Sequence, residues 1–155
     1  MRVAYVHGFA GVSGARLLGA LMDTGVSLST VQETWQQLQL PTAQVSFQRH
    51  PFGDYTAMRF DVATPSLEPF LACHTYTSLR DFIGQNVVSS RVEQRLLQIL
   101  AHFADAVASV HGGKDRDGAL QSTFMPMVLY MASGTAAALE ALAIDQVLAA
   151  PINLG

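Results

Sequence analysis

Cysteine and lysine are almost absent from this sequence. A single cysteine among 155 residues cannot form an intramolecular disulfide, and no charged and apolar leader opens the chain, so we expect a cytoplasmic protein. Lysine occurs once, and the net charge is −3. Because the scattered arginines leave no basic stripe to neutralise a phosphate backbone, nucleic acid is not an expected partner.

Charged residues of either sign are scarce. They make up 14% of the sequence, against about a quarter in an average globular protein, whereas 50% of the residues are apolar. A chain of this length forms one domain with a sizeable core, and we treat residues 1–155 as a single domain. The apolar excess predicts that part of the surface meets a protein partner or a second copy of the chain.

The longest uncharged stretch covers residues 118–139 and raises the question of a membrane span. Polar residues and Pro126 interrupt it, and the remaining run from Phe124 to Leu139 is shorter than the roughly 20 residues that cross a bilayer. We therefore predict a buried helix and no membrane partner.

A glycine-rich turn, HGFAGVSGA at residues 7–15, joins an apolar run at residues 3–6 to a helical pattern that begins near Arg16. The unpaired N–H groups of a helix N-terminus can bind an anion where glycines allow close approach. The GxxGxxG spacing matches neither the dinucleotide fingerprint nor the P-loop. Two interpretations stay open: a tight turn capped by Ser13, or an anion or phosphate site formed by Gly8, Gly11, Ser13 and Gly14.

Apolar periodicity predicts five helices. They run from about Arg16 to Thr24, from a capping box at Ser29 to Pro41, from Ser78 to about Ile83, from a second capping box at Ser90 to Gly112, and from near Thr123 through the small residues 132–138. The buried stripe of the fourth helix is predicted to consist of Leu96, Ile99, Leu100, Phe103, Val107 and Val110.

Strand patterns are fewer. Alternation around Val45 and around Phe60 predicts a hairpin with one wet face and residues 51–54 between its strands, and Val147 and Leu148 predict a last short strand. Residues 63–77 and 114–118 are expected to be loops. Because strands and helices mix without regular βαβ alternation, we predict an α+β fold, with a small mixed sheet of strand, hairpin and last strand packed on about five helices.

Three parts of the chain, taken together, resemble one known family. They are residues 7–14 (HGFAGVSG) followed by 17–25 (LLGALMDTG), the hairpin positions Gly53, Ala57 and Val62 with the short-helix positions Ser78, Leu79 and Asp81, and residues 134–145 followed by 151–155 (PINLG). The first and last resemble the two ends of the first domain of the LarC nickel-insertion proteins. This resemblance implies a domain of proteins that place nickel in the pincer cofactor of lactate racemase, using CTP and a divalent metal, with the nucleotide chemistry mainly in a second domain.

The sequence departs from that family where the resemblance implies metal ligands. The family's aspartate after the first SG falls on Ala15, and two further aspartates fall on Met127 and Met131. Its His-x-His-Glu stretch falls on residues 119–122, which read ALQS, and its histidine-rich run survives as His74 alone. None of these matching positions except His74 keeps an imidazole or carboxylate donor for nickel.

Candidate metal ligands are therefore few. Cys73 and His74 form the one adjacent pair of suitable donors, and His7 beside the glycine turn is the best third donor, so no cofactor is certain and nickel is the candidate. The alternative is a hydrogen-bonded loop histidine and a packed thiol. His102 and Asp105 lie one helical turn apart and suit a solvated pair better than a metal site. We assign no catalytic residue, because no nucleophile–base order or paired carboxylate stands out.

Three hypotheses follow. The first is a degenerate or truncated relative of the nickel-insertion first domain, non-catalytic, that serves as a binding or scaffold domain in nickel-pincer cofactor maturation. The second is a metal-delivery or docking subunit for a separate CTP-dependent nickel-insertion domain. The third is a structural homo-oligomer without a ligand.

Overall fold

The computed structural model describes residues 1–9, 11–64, 75–113, 115–120 and 125–151. In chain order the elements are β1 (Val3–Val6), α1 (Gly14–Asp23), α2 (Leu28–Gln37), β2 (Gln44–Phe52), β3 (Tyr55–Ala63), α3 (Tyr76–Gly84), α4 (Ser90–Val110), α5 (Arg116–Ala119), α6 (Met125–Ala141) and β4 (Gln146–Ala149). The predicted α+β class is confirmed.

The four strands form two pairs. β1 and β4 are parallel, with Val3 beside Gln146 and Val6 beside Ala149, although 139 residues separate the end of one from the start of the other. β2 and β3 form an antiparallel hairpin in which Phe52 pairs with Tyr55. Parallel and antiparallel pairing are therefore both present, divided between two two-stranded sheets in the described part of the chain.

The core is built around α6, which packs against α1, α2 and α4. Its residues 129–138 are all buried, which confirms the predicted buried helix. A β-carbon on Gly134 would lie 2.9 Å from Leu18 Cδ2 and 3.1 Å from Val31 Cγ1, so the absence of a side chain there lets α1 and α2 approach. None of the described helices is long and apolar enough to cross a membrane.

An aromatic pair fixes α6 against α2. Trp35 and Tyr130 meet edge to face with ring centroids 5.0 Å apart, and Trp35 Nε1 donates to the Tyr130 backbone oxygen over 3.1 Å. The Tyr130 hydroxyl donates to the backbone oxygen of Pro41, in the segment that follows α2. Burial raises the pKa of this phenol, so Tyr130 stays a neutral donor at physiological pH.

Four helices begin earlier than predicted, namely α1, at Gly14 rather than Arg16, and α2, α3 and α4. α2 is capped by Ser27 rather than Ser29, and α4 by Ser89 rather than Ser90, each hydroxyl accepting from the backbone N–H three residues on. α3 begins at Tyr76, with a capping box between Thr75 and Ser78. In each case an equivalent hydroxyl stands upstream, and a longer helix gains backbone hydrogen bonds while keeping its cap.

Other boundaries also differ from the predictions. The hairpin turn is only Gly53 and Asp54, because β2 continues through Pro51 to Phe52. Val110, the C-terminal residue of α4, is 83% exposed, so the predicted buried stripe does not extend to the end of the helix. The predicted loop at 114–118 contains the short helix α5, capped by the Asp115 carboxylate. Most of the predicted 63–77 loop, and the predicted helix start at Thr123, lie outside the described residues.

Candidate functional site

The glycine turn between β1 and α1 is a capped, tight elbow. The Gly11 N–H donates to the Gly8 backbone oxygen over 3.0 Å, and Gly11 has φ +84°, a conformation that favours glycine. Ser13 Oγ accepts from the Arg16 N–H over 3.2 Å. The cap predicted at Ser13 is confirmed, and it starts α1 two residues earlier than the apolar pattern indicated.

The elbow presents an exposed helix N-terminus, which can bind an anion through its backbone N–H groups. Ser13 and Gly14 are exposed, and no acidic residue occupies the first turn of α1, so no carboxylate of that turn offsets the partial positive charge of the helix end. An anion could approach the backbone from solvent. The assignment of Gly8, Gly11, Ser13 and Gly14 as anion-binding residues stays a prediction.

The predicted metal ligands are only partly within the described structure. His7 is exposed just after β1, and its ring lies 6.5 Å from the Phe9 ring. Cys73 and His74 lie outside the described residues, so their convergence with His7 stays a prediction. Within the described ranges, His, Cys, Asp and Glu side chains form no group of three or more that could hold a metal ion.

The start of α1 packs against α6 through an apolar contact. A β-carbon on Gly14 would lie 3.0 Å from Met131 Cβ, and Met131 is buried. Ala15 follows Gly14 directly, and Met127 lies one turn before Met131 on α6. Of the three positions at which the family resemblance implies aspartates, Met131 lies at this contact, Ala15 is half-buried in the first turn of α1, and Met127 is 39% exposed.

A polar cluster that sequence reasoning missed joins α3, α4 and α5. Arg116 donates to both carboxylate oxygens of Asp105, at 2.7 Å from Nη2 to Oδ2, and its guanidinium lies 5.4 Å from the centre of the Tyr76 ring. The hydrogen bonds from Arg116 lower the pKa of Asp105. Asp105 therefore forms its ion pair with Arg116 of α5, and the charge of His102, one turn away, lowers the pKa of Asp105 further.

The second carboxylate of the cluster is also used internally. Asp117 accepts from the Thr77 backbone N–H and from the Thr77 hydroxyl, both over 2.8 Å. These two hydrogen bonds, the backbone one first, lower the pKa of Asp117. Because both carboxylates hold α5 on its neighbours, the cluster is a structural tie. Its partners are 11 and 40 residues apart in the sequence, so no local pattern indicated it.

Comparisons with known proteins agree with the resemblance. A family model described as nickel insertion protein matches residues 4–155. A putative nickel insertion protein of Roseiflexus castenholzii is 31% identical over 99% of this chain, and another, of Geobacter metallireducens, is 32% identical over all of it. The pyridinium-3,5-bisthiocarboxylic acid mononucleotide nickel insertion protein of Geobacillus kaustophilus is 29% identical over the whole chain. No solved structure matches.

The chain is much shorter than these relatives. It covers 38% of the Roseiflexus protein, 40% of the Geobacter protein and 39% of the Geobacillus protein. About three fifths of each relative therefore has no counterpart among the 155 residues. What the complete relatives do need not be done by this region alone.

Proposed function

Since this chain belongs to the nickel insertion protein family, we propose that it is a non-catalytic binding or scaffold domain for nickel-pincer cofactor maturation, and that its own nickel ligands have been lost. The family is linked to that pathway through relatives such as the Geobacillus protein, whose name specifies nickel insertion into a pyridinium mononucleotide. Nickel would be the cargo of such a reaction rather than a resident cofactor.

The observation that carries the proposal is the apolar α1–α6 junction. Nickel(II) is bound by imidazole, carboxylate or thiolate donors, several of which must converge. The junction instead has the contact between Gly14 and the buried Met131, with Ala15 and Met127 next to it. The Met131 side chain packs on the start of α1, and neither the two methionines nor Ala15 offers a hard donor to the metal.

The glycine elbow supports retention of a binding role. The ligand named for the Geobacillus relative is a mononucleotide and therefore carries a phosphate. The exposed N-terminus of α1, with Ser13 and Gly14 at its surface, suits a phosphate oxygen. We propose that Gly8, Gly11, Ser13 and Gly14 hold the phosphate while the nickel chemistry takes place elsewhere.

Calorimetric titration with nickel tests the loss of ligands. The proposal predicts no heat of binding for the 155-residue chain and no difference between it and its His74→Ala and His7→Ala variants. Micromolar or tighter uptake that His74→Ala abolishes would contradict it and would favour metal delivery. Light scattering on the same sample tests the homo-oligomer hypothesis, since a clean monomer removes it.

Titration with the pyridinium mononucleotide, followed by amide NMR, tests the elbow separately. We expect shifts at the N–H groups of Ser13 and Gly14, at the exposed start of α1, where the phosphate would approach the backbone. The hairpin glycine Gly53 is a matched control, because it also occupies an exposed turn with positive φ. Equal responses at Gly53 and at the elbow would argue against a specific phosphate site.

A further inference from the structure

An open groove of about 540 Å³ runs along β1. One wall is β1 itself with its flanking residues Arg2 and His7, and the other is a single face of α1 that carries Leu17, Ala20 and Leu21. Six consecutive residues, 2–7, line the groove. Because successive side chains of a strand point to opposite faces, lining by consecutive residues means that the edge of β1, rather than one of its faces, borders the groove.

This edge carries no strand in the described part of the chain. β1 pairs only with β4, and the backbone oxygens of Arg2 and Val6 accept from Asp145 and Ala150 on that side. Because backbone groups alternate along a strand, those of Val3 and Tyr5 point away from β4, to the edge that borders the groove. An edge of this kind is a template for an added strand.

The sheet is also exposed to a degree that parallel sheets seldom tolerate. Parallel strands are normally covered on both faces, and a two-stranded sheet has little stability by itself. Here Tyr5 is 65% exposed and Leu148 45% exposed on one face, while Val147 is 44% exposed on the other. An additional strand along β1 would cover the edge and extend both apolar faces.

The charges of the groove select the chemistry of its occupant. Its described lining contains Arg2, Arg16 and His7 and no carboxylate. Arg16 and His7 lie at the end where the N-terminus of α1 adds partial positive charge. An extended segment with apolar side chains and an acidic residue at that end is complementary to this lining.

We propose that the groove between β1 and α1 binds one extended, apolar and acidic polypeptide segment that pairs with β1, and that this segment belongs to the portion of nickel insertion proteins that this chain does not cover. That portion amounts to about three fifths of the relatives' length, which leaves ample sequence to supply a strand. The inference deepens the binding role proposed above and rests on it.

The geometry favours a single strand over a second copy of this chain. α1 forms the far wall of the groove, and β1 of a second copy would bring its paired β4 into the same space. Adjacent strands lie about 4.8 Å apart, so two additional strands need about twice the width of one. A lone segment needs no such width and can pack on Leu17, Ala20 and Leu21.

Overlapping peptides provide the test, because the proposed occupant binds in an extended form and need not fold beforehand. Labelled peptides tiling the whole Geobacillus relative are titrated with the 155-residue chain and followed by fluorescence anisotropy. We expect an apolar, acidic peptide from the uncovered portion to bind, with binding weakened by added salt and with slower hydrogen exchange at the amides of Val3 and Tyr5.

Ala20→Glu and Ala106→Glu form a matched pair of variants. Both alanines are exposed on helices, but only Ala20 lines the groove. Ala20→Glu should weaken binding roughly tenfold or more, about 1.4 kcal/mol, whereas Ala106→Glu should not change it.

Three outcomes of the peptide experiment would overturn the inference. They are absence of binding at millimolar peptide, equal effects of the two variants, and binding only by peptides from the covered portion. A dimer of the chain that Ala20→Glu dissociates would also overturn it. No nickel is present, so failure here is distinct from failure of the nickel titration.

Discussion

The α6 core and the β1–β4 sheet are similarly apolar, yet they are buried to opposite extents. Residues 129–138 of α6 are all buried between three helices, whereas every residue of β4 is exposed. The difference teaches that the apolar excess of the sequence has two uses. One part stabilises the helical core of this chain, and the other is exposed on the β1–β4 sheet, where we propose that another polypeptide covers it.

The α6 core is fully buried because small residues let the neighbouring helices approach α6 closely. Gly134 and the alanines that follow it bring α6 against Leu18 and Val31 without intervening side-chain bulk. The sheet has no equivalent, because α1 stands away from β1 across the groove. Substitutions in the two regions should therefore have very different costs.

Leucine truncation gives the largest expected contrast. Leu96 is fully buried, so Leu96→Ala should lower the free energy of unfolding by about 2–5 kcal/mol through lost burial and a cavity. Leu148→Ala removes the same atoms from the exposed sheet and should cost less than about 0.5 kcal/mol. Urea unfolding of both variants checks this, and equal losses would show that the sheet is as well packed as the core.

Filling the closest helix contact should have the next largest effect. Gly134→Ala places a β-carbon 2.9 Å from Leu18 Cδ2 and should destabilise the chain by about 1–3 kcal/mol through overpacking. Gly84→Ala is the matched control, because its β-carbon would meet nothing closer than Glu93 Oε1 at 4.0 Å. A neutral or stabilising Gly134→Ala in thermal unfolding would contradict the tight packing of α6 on α1.

Removing one tyrosine hydroxyl from the core and one from the sheet should give a smaller difference in stability. Tyr130→Phe leaves the Pro41 backbone oxygen without its donor and should cost about 1–2 kcal/mol. Tyr5→Phe, in the exposed strand β1, should leave the stability unchanged within about 0.5 kcal/mol. Chemical denaturation of the two variants measures the difference, and a costly Tyr5→Phe would place the β1 hydroxyl in a contact of its own.

The smallest effect on stability is expected when acid protonates Asp145, the residue before β4. The Asp145 carboxylate accepts from the Arg2 backbone N–H at 2.7 Å and from Arg91 at 2.8 Å, and these bonds lower its pKa. Because the folded-state pKa lies below the unfolded one, the stabilisation is present above about pH 4 and is lost as pH falls through the folded value.

Asp145→Asn should therefore make stability less dependent on pH below about pH 4, with a small loss at neutral pH. Asp105 and Asp117 have pKa values lowered in the same direction, so some acid sensitivity should remain in the variant. Thermal melts from neutral pH into acid check this. If the variant lost more stability in acid than the parent, the contribution of Asp145 to the pH dependence would have the opposite sign, and the hydrogen-bonding account would be contradicted.

Local sequence patterns predicted the secondary-structure elements. The helix boundaries and the burial of individual residues depend on the backbone conformation and on contacts between residues distant in the sequence. Periodicity located β1, the hairpin and all the long helices, and the uncharged stretch around Gly134 was correctly predicted to be a buried helix. The predicted helix starts were wrong where two nearby hydroxyls could each cap the helix, as at Ser27 and Ser29. Which of the two caps it depends on the backbone conformation. The exposed Val110 has the period of a core residue but is the last residue of α4, and periodicity does not show where tertiary packing along a helix ends.

The candidate site was predictable in part for the same reason. The Ser13 cap lies within one short turn and follows from local sequence. The meeting of Gly14 with Met131, 117 positions apart, and the pairing of Asp105 with Arg116 depend on how helices cross. No single-sequence pattern encodes such a crossing.

Native mass spectrometry of the 155-residue chain with one equivalent of nickel tests the central proposal most directly, that this domain does not hold the metal itself. The account predicts that the chain appears at its apo mass, unchanged by His74→Ala. A stable species with one nickel per chain, lost in that variant, would contradict it.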